Sequence, residues 1–330
     1  MIGIAIGGFV EADKNGGLGV HSLDAFVLQV PDLERARKFF TCFGLEVRQR
    51  GATLDLRTFG HDQVWGTLIE GASRKLQHLS FGAYAEDLPR FKSRLEDGGI
   101  RLVDAPRGFE SNGLWFYGHD NVLTEIKAAA KTSLDHKAST HFTSVAAGQR
   151  GTGLGHIEMK QILPKRLSHC LVFTSDVHAA IAYYRNVIGL RLSDHSGGNV
   201  AFMHGIHGSD HHLLAFARSN GPGLHHCSWD VGSIDDIGRG ALFMAGKGYK
   251  RGWGVGRHTI GSNYFHYVQD PWGGFSEYSC DIDYVPKGFL WNSRDFGDED
   301  ALALWGPAPP DDFVHNYEMD VGAKFAGATH

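Results

Sequence analysis

Two stretches of this chain follow one pattern, and any fold must satisfy both copies at once. DAFVLQVPDLERARKFFTCFGLEVR (24–48) reads as a strand, a Pro-Asp helix start, an amphipathic helix and, after Gly44-Leu45, a second strand. HCLVFTSDVHAAIAYYRNVIGLRLS, beginning at 169, reads the same way with Gly189-Leu190 in the same place. Each Gly-Leu lies 20 positions after the first residue of its stretch, so the two register without a gap. Downstream, LQHLSFGAYAEDLPRFKSRLEDGGIRL (76–102) matches LHHCSWDVGSIDDIGRGALFMAGKGYKR (224–251), and LWFYGHDNVLTEI (114–126) matches YFHYVQDPWGGFSEY (264–278). The spacing between copies drifts from 145 to 148 to 150–152, as small loop insertions would produce. Four βαβββ units in two tandem halves, an α+β fold, are the economical reading.

Composition supports a soluble protein of that size. With 330 residues the chain exceeds one average domain, and 42% apolar against 21% charged residues is ordinary for a globular core. A net charge of −5 with no Lys/Arg-rich run argues against nucleic acid and anionic membrane as partners, since both need clustered cations. The apolar start, IGIAIGGFV, spans nine residues with no basic residue before it, and is expected to be neither signal peptide nor membrane span. Cys42, Cys170, Cys227 and Cys280 are scattered without a CxxC pair, which suits reduced core thiols in a cytoplasmic protein. The 44 glycines fit many turns; the 20 histidines need a further reason.

The repeat resembles the vicinal oxygen chelate superfamily, whose paired βαβββ units curve into a half-barrel that can hold a divalent metal. It covers roughly residues 20–285. The implied organisation is an N-terminal two-module domain over 1–135, a C-terminal two-module catalytic domain over 160–286, and a tail over 287–330. Register pairs Asp24 with His169, His78 with His226 and Glu125 with Glu277. The second half thus offers His169, His226 and Glu277 where this fold places its ligands. Two imidazoles and one carboxylate with open positions form the facial triad suited to non-heme Fe(II) and oxygen chemistry. Strand alternation puts His169, Leu171 and Phe173 on one face, so Leu171 and Phe173 are expected to contact substrate. In the strand from His225, alternation groups His226 with Ser228 and Asp230, and turns His225, Cys227 and Trp229 toward a helix. With Asp24 in place of a histidine, the first half reads as a degenerate metal site that serves as scaffold.

The segment GRHTIGSNYFHYVQDPWGGFSE (256–277) sharpens the resemblance. The turn Asp270-Pro271-Trp272-Gly273-Gly274 is centred near 272, which places Tyr267 opposite Glu277 on antiparallel strands. Gly256, His258, Tyr267, Asp270, Pro271, Gly273 and Glu277 together look like the signature of the type I extradiol ring-cleavage dioxygenases. Those enzymes use Fe(II), less often Mn(II), with O2 as co-substrate to open catechols next to the two hydroxyls. The resemblance implies that His212 is the acid–base residue, that His258 and Tyr267 hydrogen-bond the bound substrate, and that His204 falls on the pocket wall. It also implies a homo-oligomer, dimer or tetramer, acting in aromatic-compound degradation. His211 alternates away from His212 and receives no role. Gly261 stands where some relatives carry an acidic residue, so a network through that group is absent. The aromatic and proline-rich tail either caps the pocket mouth or packs on the domain or a neighbouring subunit.

Other readings stay open at this level. A glyoxalase-type isomerase needs ligands from two units and has no use for His258 and Tyr267, and an α-keto-acid-dependent dioxygenase would not carry this hairpin. A non-catalytic aromatic-ligand binder of the same fold would need no proton shuttle.

Overall fold

The computed structural model describes residues 8–9, 17–141, 145–149 and 160–320. Apart from Gly8 and Phe9, the apolar N-terminal segment lies outside them, as does the end of the tail from 321. The N-terminal half runs β1 (Ser22–Val30), α1 (Leu33–Phe43), β2 (Glu46–Arg50), β3 (Thr53–Arg57), β4 (Gly66–Glu70), β5 (Lys75–Ala83), α2 (Leu88–Asp97), β6 (Leu114–Tyr117) and β7 (Leu123–Ala128). The C-terminal half runs β8 (Arg166–Thr174), α3 (Val177–Tyr183), β9 (Arg191–Ser196), β10 (Val200–His204), β11 (Leu214–Arg218), β12 (Gly223–Asp230), α4 (Ile234–Gly246), β13 (Gly252–Arg257), β14 (Tyr264–Gln269) and β15 (Phe275–Cys280). The first half forms a seven-stranded sheet ordered β2-β3-β4-β1-β5-β7-β6, and the second an eight-stranded sheet ordered β9-β10-β11-β8-β12-β15-β14-β13. Where the second half has β13, the first has a single bridge from Leu102 to Phe116. The tandem βαβββ reading therefore holds, with one strand reduced to a bridge.

Local chemistry starts and stops the helices where the sequence asks. Asp32, Asp176 and Ser233 each accept a backbone N–H of the first turn, at 2.9, 3.0 and 3.1 Å, caps worth about 1 kcal/mol apiece. The glycines that end α1 and the helix after α3 have φ of +102° and +84°, a left-handed bend that penalises a Cβ. They also let the halves interlock. A Cβ on Gly44 would lie 2.0 Å from the Ile162 carbonyl oxygen, and one on Gly189 would lie 2.2 Å from that of Leu18, so each helix end touches the irregular segment that leads into the other half. One hydrophobic core accordingly spans both halves; Phe43 stacks on Tyr278 with ring centroids 4.0 Å apart.

The helices also correct the repeat register. Strand β1 and the Asp32 cap precede β8 and the Asp176 cap by 144 residues, whereas Gly44 and Gly189 are 145 apart. The extra residue is absorbed by a π-helical turn, Tyr184–Ile188, that follows α3; such a turn is how a helix takes one insertion without losing its ends. Counting back from the glycine therefore placed Asp24 one position too far along. Ala25 pairs with Ser80 as His169 pairs with Ser228, and Asp24 sits in the bulge that Ser168 occupies in the second half.

Candidate metal centre

Three neighbouring strands supply the centre. Pairing runs from His169 on β8 to Ser228 on β12, to Glu277 on β15, and to Tyr267 on β14. Tyr267 and Glu277 are directly opposed, as the position of the turn requires. His226, two residues before Ser228, shares that face. Nε2 of His169 and Nε2 of His226 are 3.4 Å apart and lie 3.3 and 3.6 Å from Oε2 of Glu277. The middle of a triangle that size is about 2 Å from each corner, the length of a metal–ligand bond. All three residues are buried, and among the described residues they form the one His/Cys/Asp/Glu cluster close enough to share an ion.

The donor set fits a cation. Oε2 of Glu277 is buried without a hydrogen-bond donor, which is costly for a carboxylate oxygen unless a cation takes that place. Burial alone would raise the Glu277 carboxyl, yet the close His169, His258 and His226 imidazoles hold it well below the usual carboxylate range. Burial also pushes His226 well below the ordinary imidazole value, so it stays neutral and able to ligate. The outer nitrogens are fixed too. His226 Nδ1 lies 2.6 Å from His225 Nδ1, and His225 Nε2 lies 2.6 Å from the carbonyl oxygen of Phe313. A carbonyl can only accept, so His225 carries its proton on Nε2 and His226 carries its own on Nδ1, which leaves the Nε2 lone pair of His226 for the metal. His169 Nδ1 is likewise 3.2 Å from the Ser168 hydroxyl, which donates to Asp210 at 3.0 Å.

His225 thus departs from strict alternation. A bulge between Leu224 and His226 in the ladder with β8 turns its ring to the cavity side, against Phe313 and Phe275 instead of a helix. Cys170 and Cys227 pack in the main core, on the side away from the centre.

The remaining polar groups gather on the same face. His212 is buried with its ring centroid 4.1 Å from that of His169, and burial with the surrounding imidazoles pushes it well below its ordinary value. His258 Nε2 lies 3.0 Å from the Tyr267 hydroxyl, and His258 Nδ1 hydrogen-bonds the Leu302 carbonyl. Asn263 donates to Glu277 Oε1 at 3.3 Å and to Ser279 at 2.9 Å; no motif singled it out. His211 lies in the irregular segment before β11, where strand alternation does not apply, and its Nδ1 is 3.1 Å from His212 Nδ1.

These groups form the floor of a cavity of about 340 Å3, within the range of small-ligand pockets. Leu171, Val200, Phe202, Ala217, Phe313 and Val314 line it, and Arg218 is the one lysine or arginine among the lining residues. Two expected contacts lie elsewhere. Phe173 packs with Leu171 and Ala215 but is covered by the His225 ring, 5.2 Å away. His204 is drawn behind the wall by the Ser193 hydroxyl, 2.7 Å from its Nδ1. Tail residues Asp298, Ala301, Leu302, Phe313 and Val314 line the cavity's outer side.

The turn that carries Glu277 is anchored from outside the half. Arg74, from the N-terminal half, bonds Asp270 at 2.9 Å, Glu318 of the tail at 2.8 Å and the Leu224 carbonyl at 2.7 Å. Asp270 in turn accepts the Trp272 and Gly274 amides. A Cβ on Gly274 would lie 2.0 Å from the Arg74 guanidinium, so the second glycine leaves room for this ion pair.

Residues 166–277 match the model of the glyoxalase/bleomycin resistance protein/dioxygenase superfamily. The chain is 44% identical to metapyrocatechase 2 of Cupriavidus necator over 300 residues, covering 91% of this chain and 93% of that one. Two solved structures share the fold. A Mn(II)-bound glyoxalase from Novosphingobium aromaticivorans has a TM-score of 0.72 at 22% identity, with 88% of this chain and 93% of that chain covered. Homoprotocatechuate 2,3-dioxygenase from Brevibacterium fuscum, in complex with 3,4-dihydroxyphenylacetate, has a TM-score of 0.72 at 19% identity, with 93% and 95% covered.

Proposed function

This chain belongs to the extradiol dioxygenases of the glyoxalase/bleomycin resistance protein/dioxygenase superfamily, and on that premise we propose that His169, His226 and Glu277 hold Fe(II) and that the catechol opened there carries an apolar substituent. The observation that carries this reading is the convergence of two Nε2 atoms and an undonated carboxylate oxygen within 3.3–3.6 Å at the floor of an apolar cavity. Two imidazoles with one carboxylate is the ligand set of oxygen-activating Fe(II) sites, with Mn(II) as the near alternative. Such an ion supplies the charge that favours deprotonated catechol oxygens and the redox partner that O2 requires.

The chain's own residues account for the rest. His212, held neutral, takes a proton from the catechol and returns it as the ring opens. His258 gives its Nδ1 proton to the Leu302 carbonyl and accepts the Tyr267 hydroxyl at Nε2, 3.0 Å away, so it orients the Tyr267 oxygen that hydrogen-bonds the substrate hydroxyl on that side of the centre. Leu171 and Phe202 receive the ring, while Phe313 and Val314 of the tail cap the cavity and exclude water. His204 and Phe173 support this wall from behind.

The wall also supports a choice of substituent. An anionic side chain would lose its hydration against Val200, Phe202 and Ala217, and the single arginine, Arg218, is solvent-exposed and shares the lining with the Asp298 carboxylate. The expected outcome is a kcat/KM for 4-methylcatechol or 4-ethylcatechol at least about tenfold above that for 3,4-dihydroxyphenylacetate, since one buried methylene is worth about 1 kcal/mol and an unpaired carboxylate costs more. A preference for the carboxylate would overturn the substituent assignment and leave the metal assignment standing.

A further inference from the structure

We propose that Asp194 and His211 are positioning residues that hold His212 in one tautomer, with its Nε2 as the proton-accepting nitrogen; this rests on the acid–base role given to His212 above. Asp194 Oδ2 lies 2.8 Å from His211 Nε2, and an ionised carboxylate only accepts, so His211 carries its proton on Nε2. His211 Nδ1 is then a bare lone pair. It lies 3.1 Å from His212 Nδ1, so the proton between the two rings belongs to His212. The Nε2 of His212 is left as a lone pair; it makes no hydrogen bond among the described residues, and its ring lines the cavity beside His169. A base needs its lone pair on the side where the proton arrives, and a neutral imidazole left to itself divides between two tautomers.

Asp194 is itself held so that its role is fixed. The Trp291 indole N–H donates to Oδ2 at 3.2 Å and the Arg294 amide donates to Oδ1 at 2.7 Å. Both donors come from the tail. The His211 ring is wedged edge-on against Trp291, with centroids 5.2 Å apart, and its backbone carbonyl accepts the Ser193 hydroxyl. The same polarity recurs at His225 and His226, anchored there by a carbonyl instead of a carboxylate.

Asp194→Asn tests the chain, because an amide has one acceptor oxygen for three donors. It is expected to lower kcat about ten- to hundredfold, the usual cost of losing an orienting partner, with KM and metal content unchanged. His211→Phe keeps the ring packing, removes both nitrogens and should give the same split. The decisive comparison is with His212→Phe: if Asp194 and His211 act through His212, neither substitution lowers kcat further in that background. An equal loss in both backgrounds, or an unchanged kcat in either single variant, would overturn the inference alone. A His212→Phe enzyme that turns over at the normal rate would instead sink the acid–base role of His212, and the inference with it.

Discussion

Lys127 shows at the scale of single residues why the candidate metal centre falls in one half of the molecule and not in the other. His78 and Glu125 are retained in the first half, but Ala25 stands where His169 would be, and the Lys127 ammonium lies 2.8 Å from Asp24 and 3.9 Å from Glu125. Burial alone would lower the Lys127 ammonium, but Asp24 and Glu125 keep it charged, so a fixed cation replaces an exchangeable one. Trp115 pairs with Glu125 where Tyr267 pairs with Glu277, and the buried His78 ring packs between Trp115 and Phe109. Burial, with a smaller push from Lys127, lowers His78 from 6.5 to about 4. A value depressed in the folded state means that the unfolded chain binds the proton more readily. The contribution is therefore complete above about pH 6.5 and is lost as pH falls through about 4. It amounts to about 3 kcal/mol. His78→Gln should flatten by up to that amount the fall in urea-unfolding stability between about pH 7 and pH 4.5; an unchanged slope would mean that His78 does not titrate there.

Among the elements, the β14–β15 hairpin was the most legible part of the sequence. Its turn composition located its centre, and the centre located the pairing of Tyr267 with Glu277. Alternation served wherever the ladder is regular, as for Cys170 and Cys227. It failed at His225, where a bulge turns the ring, and at His211, where no ladder exists. Both failures concern a His-His doublet, and two doublets in one domain were a signal that the pairs act jointly. The one-residue error at Asp24 arose because a π-helical turn has no composition of its own. Nothing local announced the anchor of the hairpin either, since Arg74 lies 196 residues before Asp270. Arg74 and its two carboxylate partners have side chains only 5% exposed. Removing one member of a buried, paired set typically costs about 3–5 kcal/mol. Arg74→Met is expected to lower the unfolding free energy by about that much, measured by urea denaturation; a loss below about 1 kcal/mol would mean that the hairpin is not held through Arg74.

For the whole molecule, the tail joins both halves and the hairpin around one cavity. Its Phe313 and Leu302 carbonyls and its Trp291 indole reach, in turn, His225, His258 and Asp194, so the segment that lines the cavity's outer side also orients histidines on its floor. Seen as sequence, the tail offered only aromatics and prolines, because backbone carbonyls leave no mark in composition. Among the described residues no helix is long and apolar enough to cross a membrane. In the reading proposed above, the His169, His226 and Glu277 centre binds iron and uses it to consume O2 with a catechol. Metal content and oxygen uptake, measured together on the wild type, His212→Phe and Glu277→Ala after anaerobic reconstitution with Fe(II), test it most directly. One iron per chain and one O2 per catechol are expected in the wild type. His212→Phe should hold full iron but turn over about 10²–10⁴ more slowly, and Glu277→Ala should show neither iron nor oxygen uptake. Full iron and undiminished oxygen uptake in Glu277→Ala would contradict that reading.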